Sequence, residues 1–317
     1  MAADFLPTAS LPMLRRRAEL LKQVRRFFED RGFLEVETPL LSHDTVVDRH
    51  LDPLGATLPS DPRQPLAGPR LWLQTSPEFA MKRLLAAGVT AIYQVTKAFR
   101  GGGEAGPLHN PEFTIVEWYR VGDDYAAGMQ LLSDLAESLL DLGPAERLTY
   151  REAFRQFAGV DPFADPMQIV LEDLPPRADG DLVLDYLLTT RVEPHLGQNR
   201  PTILHDYPAS QAALAQLRPG QPPVAERFEL YVRGIELANG YHELLDPALL
   251  RDRNRANNEL RAAGGKYTLP AESRLLVAMD HGLPACSGCA LGFDRLVMVA
   301  TSAKSIQEVM AFPIERA

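Results

Sequence analysis

The sequence predicts an α+β fold built on a largely antiparallel sheet, on three observations. Candidate strands come in hairpin pairs instead of alternating strictly with helices. Amphipathic helical stretches cluster towards the two ends of the chain. No Rossmann or Walker signature marks a doubly wound sheet: the run Gly101, Gly102, Gly103 has no trailing Lys-Ser/Thr and lies between two strands instead of opening a helix. The 317 residues suffice for one large domain and are read as one, 1–317.

Over residues 10–31 the apolar Leu14, Ala18, Leu21, Val24 and Phe28 recur at three and four, with Ser10 as N-cap, Pro12 in the first turn and Gly32 as stop. Its other face carries Arg15, Arg16, Lys22, Arg25 and Arg26, either a solvated face or a docking surface. Residues 33–41 include Pro39, which cannot donate to a ladder, so this is an edge strand or an extended crossing segment. Residues 52–70, rich in Pro and Gly, are loop, and 71–74 a short strand. Ser76 and Pro77 supply an N-cap and first-turn proline for a helix to about residue 87, with Glu78 in its first turn. Residues 92–99 and 113–119 form a long-looped hairpin. A helix over 125–142 is closed by Gly143 and Pro144, and short proline-punctuated pieces run to about residue 200. Strands follow at 201–207, 227–232 and 235–239, helices at 247–263 and 271–281, and a strand at 286–292 feeding a last helix.

Composition narrows the function classes. A net charge of -9 argues against a broad basic face for long nucleic acid. The two cysteines, Cys286 and Cys289, exclude a disulfide framework and suit a reducing compartment; their thioredoxin-like spacing lacks the strand-to-helix context of that motif. Apolar stretches fall short of the roughly 18–20 residues of a membrane span, and the N-terminus lacks a signal pattern, so a soluble cytoplasmic protein with no membrane partner is expected.

Chemistry concentrates in three places. Alternation puts Glu117 and Tyr119 on one strand face, where they could hold an ammonium, or Glu117 could sit in an ordinary salt bridge. Arg233-Gly234 can turn a hairpin that opposes Tyr231 to Glu236, placing Glu229 diagonally from Glu236. Two such carboxylates either are solvated or share a cation, for which Mg²⁺ with a nucleotide phosphate is natural, and Glu243 could converge on the same place. Arg100 and Arg295, beside glycine-rich turns, suit a triphosphate, with Gly292 allowing a planar base to approach.

The segments FLEVETPLL, FRGGGEAGPLHNPEFTIVEWYR, FELYVRGIELANGYHEL and ALGFDRLVM, in this order, resemble the motifs of class II aminoacyl-tRNA synthetases, the lysyl branch most. The resemblance runs from about Leu14 to the C-terminus, implies that family's antiparallel β-sheet flanked by helices, and leaves no room for an N-terminal OB-fold anticodon-binding domain. With SPEFAMKRLL and GIELANG the chain is most similar to the elongation factor P lysine ligase family. That family uses ATP to make an aminoacyl-adenylate of (R)-β-lysine, or lysine, and passes the acyl group to a lysine ε-amine of elongation factor P. A minimal lysyl-type enzyme charging tRNA is the alternative, disfavoured by the expected missing domain and the acidic charge.

The resemblance assigns residues in turn. Arg100 would meet the α-phosphate and Arg295 the γ-phosphate, both counted as catalytic. Gly101, Gly102, Glu104, His109, Asn110, Glu236, Leu237 and Gly292 complete the ATP site. Ser76, Pro77, Glu78, Glu117, Tyr119, Glu243 and Ala290 would bind the amino acid, and Glu229 with Glu236 the Mg²⁺. A homodimer through the Pro39 segment is implied as well. Two departures stand out. The loop after Arg100 reads Gly-Gly-Gly-Glu where lysyl enzymes read Asn-Glu, so Glu104 is the candidate for the adenine-contacting glutamate. Ala290 stands where lysyl-tRNA synthetases carry glycine, and the extra methyl reshapes the amino-acid pocket.

Overall fold

The structure, a computed structural model, describes residues 5–103, 105–164 and 179–317. Contacts divide the chain into two units: Met1–Gly122, Leu245–Ala285 and Ala290–Ala317 make the first, Asp123–Leu244 and Cys286–Cys289 the second.

The first unit opens with α1 (Leu11–Glu29), capped by Ser10, whose hydroxyl accepts from Met13 N at 3.3 Å. It buries Leu20, Val24, Phe27 and Phe28, and Phe28 stacks on Tyr93 at 4.7 Å and meets Trp118 at 5.2 Å. The Pro39 segment is mostly extended and supplies only β1 (Leu34–Glu35) and β2 (Leu41–Ser42). The expected loop contains a strand, β3 (Gly55–Thr57), which with β2 flanks β4 (Arg70–Leu73). In α2 (Glu78–Ala86) the N-cap is Pro77, one residue later than predicted; Ser76 Oγ accepts from Glu78 N at 3.0 Å just outside it. β5 (Ala91–Phe99) and β6 (Glu112–Val121) form the predicted antiparallel hairpin, and β1 lies parallel to β5.

The second unit starts with α3 (Tyr125–Leu140), ended by Asp141 in the left-handed conformation at φ 54°. The stretch read as helices and connections also holds a strand, β7 (Glu146–Thr149), before α4 (Tyr150–Ala153) and α5 (Gly180–Leu187). β8 (Thr202–Pro208), β9 (Leu217–Arg218), β10 (Val224–Val232) and β11 (Ile235–His242) follow. Their order is β11-β10-β8-β7, with β9 on β10; β7 and β8 pair in parallel and the other three pairs are antiparallel. Tyr150, Phe154, Leu184, Leu204, Tyr207 and Tyr231 form its core.

The chain returns to the first unit through α6 (Pro247–Ala263) and α7 (Arg274–His281), the latter capped by Ser273 and three residues shorter than expected. β12 (Cys286–Gly292) gives its first four residues to the second unit and the rest to the first, then leads into α8 (Phe293–Thr301). The α+β reading therefore holds, with mixed and mostly antiparallel pairing. Cys286 and Cys289 are buried without a disulfide. No helix among the described residues is long and apolar enough to cross a membrane.

Candidate active-site residues

In the first unit, the hairpin β5–β6 and the start of α2 bring Ser76, Pro77, Glu78, Glu117 and Tyr119 into one buried group. Glu117 is 1% exposed and accepts from Tyr119 Oη at 2.6 Å and Ser76 Oγ at 2.8 Å. Both donors are neutral. Burial first, and the charge of Glu78 second, push the Glu117 carboxyl up to about 7, against the smaller opposing pull of Tyr119, Ser76 and Lys82. Glu78 is engaged by Lys82, one helical turn on, at 2.6 Å. Sequence reasoning passed over Lys82, although its i+4 spacing from Glu78 was legible.

Also in the first unit, the loop between β5 and β6 gathers basic groups. Arg100 N donates to Pro111 O at 2.9 Å, closing the loop, and the guanidinium lies 5.0 Å from the Phe113 ring centroid. Its Nε is buried and has no hydrogen-bond partner. A buried donor left open is costly and fits an anion that supplies the acceptor. Arg295 donates from Nε to Leu108 O at 3.2 Å and from Nη2 to His109 Nε2 at 2.6 Å. Because arginine can only donate, that ring nitrogen accepts, so the proton of a neutral His109 sits on Nδ1. Burial, then Arg295, then Arg100 push His109 down from its ordinary value, which keeps it neutral.

The glycines are fixed by Asp52. Gly101 N donates to Asp52 O at 2.6 Å; Gly102 has φ +72°, and a Cβ there would stand 2.5 Å from the Asp52 carboxylate. Lys266 reaches that carboxylate at 2.7 Å and Arg261 at 3.0 Å. Asn110 is buried, donating to Glu112 O at 2.6 Å and accepting from Ile314 N at 3.0 Å, so its amide ties the loop to the C-terminal segment. Gly292 is the N-cap of α8, and Ala290 lies half-buried in β12. Glu104 lies outside the described residues. A support the sequence reading missed is Asp294, beside Arg295: it is buried, pairs with Arg17 at 2.6 Å and accepts from Thr114 N at 2.6 Å, locking α8 to β6 and α1.

In the second unit the hairpin turns at Arg233-Gly234, with φ 53° and 73°, as a two-residue turn with both positions left-handed. Tyr231 opposes Glu236 as predicted. A bulge then intervenes: Leu230 opposes Ala238, so Leu237 is the extra residue and Asn239, not Ala238, faces Glu229. Glu229 is 4% exposed. It accepts from Tyr207 Oη at 2.5 Å and Tyr231 Oη at 2.6 Å on one oxygen, and from Arg227 Nη2 at 2.5 Å and Asn239 Nδ2 at 3.2 Å on the other. Four donors fill the roughly four lone-pair sites of a carboxylate. This differs from the expected Mg²⁺ ligand: Glu229 is the hub of an internal network. Glu236 is half-buried, Leu237 buried, and Glu243 fully buried with its N donating to Cys286 O at 3.0 Å. Among the described residues no cluster of three or more His, Cys, Asp or Glu is placed to hold a metal.

The profile of the class II tRNA synthetases (D, K and N) matches residues 4–316, and the chain belongs to that family. Within it, the chain is similar along its whole length to proteins named elongation factor P--(R)-beta-lysine ligase. It is 47% identical to that of Vibrio cholerae over 326 residues, covering 99% of each chain. Those of Vibrio vulnificus and Klebsiella pneumoniae are 46% identical, again over 99% of both chains.

Proposed function

We propose that the protein activates (R)-β-lysine, or lysine, with ATP and transfers it to a lysine ε-amine of elongation factor P. The observation that carries the reading is similarity over 99% of the length of relatives bearing that ligase name. The geometry agrees with its chemistry. The substrate carboxylate attacks the α-phosphorus and pyrophosphate leaves; the incoming amine, having lost a proton, attacks the acyl carbon and AMP leaves. Adenylation needs positioning and charge neutralisation more than a general base. Arg100, with its open buried Nε, suits the α-phosphate, and Arg295 a further phosphate once it exchanges its hold on His109 and Leu108 for the nucleotide. Glu117 and Tyr119 suit a substrate ammonium, and Glu243 keeps the substrate role the family pattern gives it. Mg²⁺, which commonly takes one or two carboxylates plus phosphate oxygens and supplies charge neutralisation, is assigned to Glu236. Glu229 shapes the hairpin that carries it.

The test is the intact mass of elongation factor P after incubation with enzyme, Mg-ATP and either lysine isomer. An ATP-dependent increment of one lysyl group supports the reading; acylation of tRNA with unmodified elongation factor P overturns it in favour of a tRNA-charging enzyme. A cytoplasmic homodimer belongs to the same proposal, and a monomer at micromolar concentration in sedimentation would remove the dimer from it.

A further inference from the structure

We propose that Lys82 is a specificity-determining residue: by pairing with Glu78 it leaves the ammonium pocket at Glu117 room for one positive charge, and it couples the binding of that charge to release of a proton. The inference rests on the proposed function for the identity of the cationic ligand and goes beyond it in what sets the pocket's charge.

Lys82 is 2% exposed, held by α2 against Glu78 at 2.6 Å, with its ammonium 5.8 Å from the Tyr119 ring centroid. A lysine this buried is rare unless paired, and here its partner is one of the two acids of the pocket. Among the described residues, the strongest influences on Glu117 come from a few groups. α2 brings Glu78 and Lys82, the strand itself brings Tyr119, Ser76 donates from the segment before α2, and β5 sets neutral Gln94 in register with Glu117. β12, next to β6, carries no charged side chain. The charge that α8 brings to β6, Asp294, is bound to Arg17 near Thr114. Glu78 and Lys82 compensate each other, so Glu117 is the acid with hydroxyl donors and no cation of its own.

A buried carboxylate in that position resists ionisation, and an arriving ammonium removes the resistance. Binding therefore expels the proton wherever the empty pocket holds one, which is below about pH 7. Lys82→Met would leave the charge of Glu78 uncompensated beside Glu117, so that Glu117 keeps its proton to higher pH. Glu78→Gln would do the reverse, releasing Lys82 to compensate Glu117.

The experiment is calorimetric titration of the full chain with lysine in buffers of different ionisation enthalpy, from about pH 6 to about pH 8, around the range in which such a carboxyl titrates. The wild type is expected to release close to one proton at the acid end and almost none at the alkaline end. In Lys82→Met the release persists roughly one pH unit higher. In Glu78→Gln it disappears, which keeps the test decisive if the Met variant does not fold. ATP affinity measured on the same samples reports folding, because neither residue belongs to the phosphate-binding group. The same proton count in all three proteins overturns the inference alone. A wild type that binds neither lysine nor β-lysine overturns the proposed function and the inference with it.

Discussion

Glu117 and Glu229 are both buried carboxylates on strands, both accept from tyrosine hydroxyls, and they are finished in opposite ways. Glu229 has four donors, one of them the guanidinium of Arg227. Glu117 has two neutral ones, while the nearby cation, Lys82, belongs to Glu78. Burial is thus a poor guide to which acid serves a ligand. The number and charge of internal donors is the better one: a saturated carboxylate holds its own fold together, and under the proposed function the undersupplied one takes the substrate ammonium.

The sharpest way to break this comparison is to remove Glu229. Glu229→Ala strands Arg227 in a buried site, and urea unfolding should show a loss of about 3–5 kcal/mol. A loss below about 1 kcal/mol would mean the network is ornamental. Next in size, Arg100→Ala should weaken ATP binding by about 2 kcal/mol, roughly 30-fold, with an unchanged unfolding midpoint, because its Nε meets no protein acceptor. Glu117→Gln should weaken lysine binding about tenfold, seen as a raised KM for lysine in pyrophosphate exchange, while ATP binding is unaffected.

The same residue gives a pH signature of stability. The folded carboxyl titrates near 7 and the unfolded one near 4.5. The folded state therefore binds the proton more tightly, and this contribution is full below pH 4.5 and lost as pH rises through about 7. Unfolding free energy should fall over that window in the wild type and fall less in Glu117→Gln. An effect of similar size belongs to Gly102→Ala. A positive φ and a Cβ 2.5 Å from the Asp52 carboxylate should cost about 1–2 kcal/mol, measurable as a lowered melting temperature.

How much of this was legible in the sequence follows from what kind of pattern carries each feature. The α1 cap, the β5–β6 hairpin and the Arg233-Gly234 turn rest on local periodicity and turn chemistry, and the turn set the Tyr231–Glu236 register correctly. The bulge at Leu237 has no local signature, so a strict two-residue period carried on from the Tyr231–Glu236 pair does not bring Asn239 opposite Glu229. β7 was missed because its four residues, Glu-Arg-Leu-Thr, present little apolar alternation. The donors that close Glu229 come partly from Tyr207, 22 residues away on β8, and such pairings are invisible until the strands are placed. Arg17 and Asp294 are separated by most of the chain and were missed for the same reason. The spacing predicts Ser76 as the helix cap, but Pro77 occupies that position and the Ser76 hydroxyl serves Glu117 as donor, a role that spacing alone does not reveal.

The most direct test of the central contrast measures Glu117→Gln and Glu229→Gln side by side, for urea unfolding and for lysine-dependent pyrophosphate exchange, at a pH below about 7 where Glu117 is largely protonated in the empty protein. The account predicts that Glu117→Gln unfolds at the wild-type denaturant concentration and loses exchange through a raised KM for lysine, whereas Glu229→Gln unfolds at clearly lower denaturant. The opposite assignment, a Glu117 variant that unfolds early and a Glu229 variant that stays stable but loses its response to lysine or Mg²⁺, would contradict it.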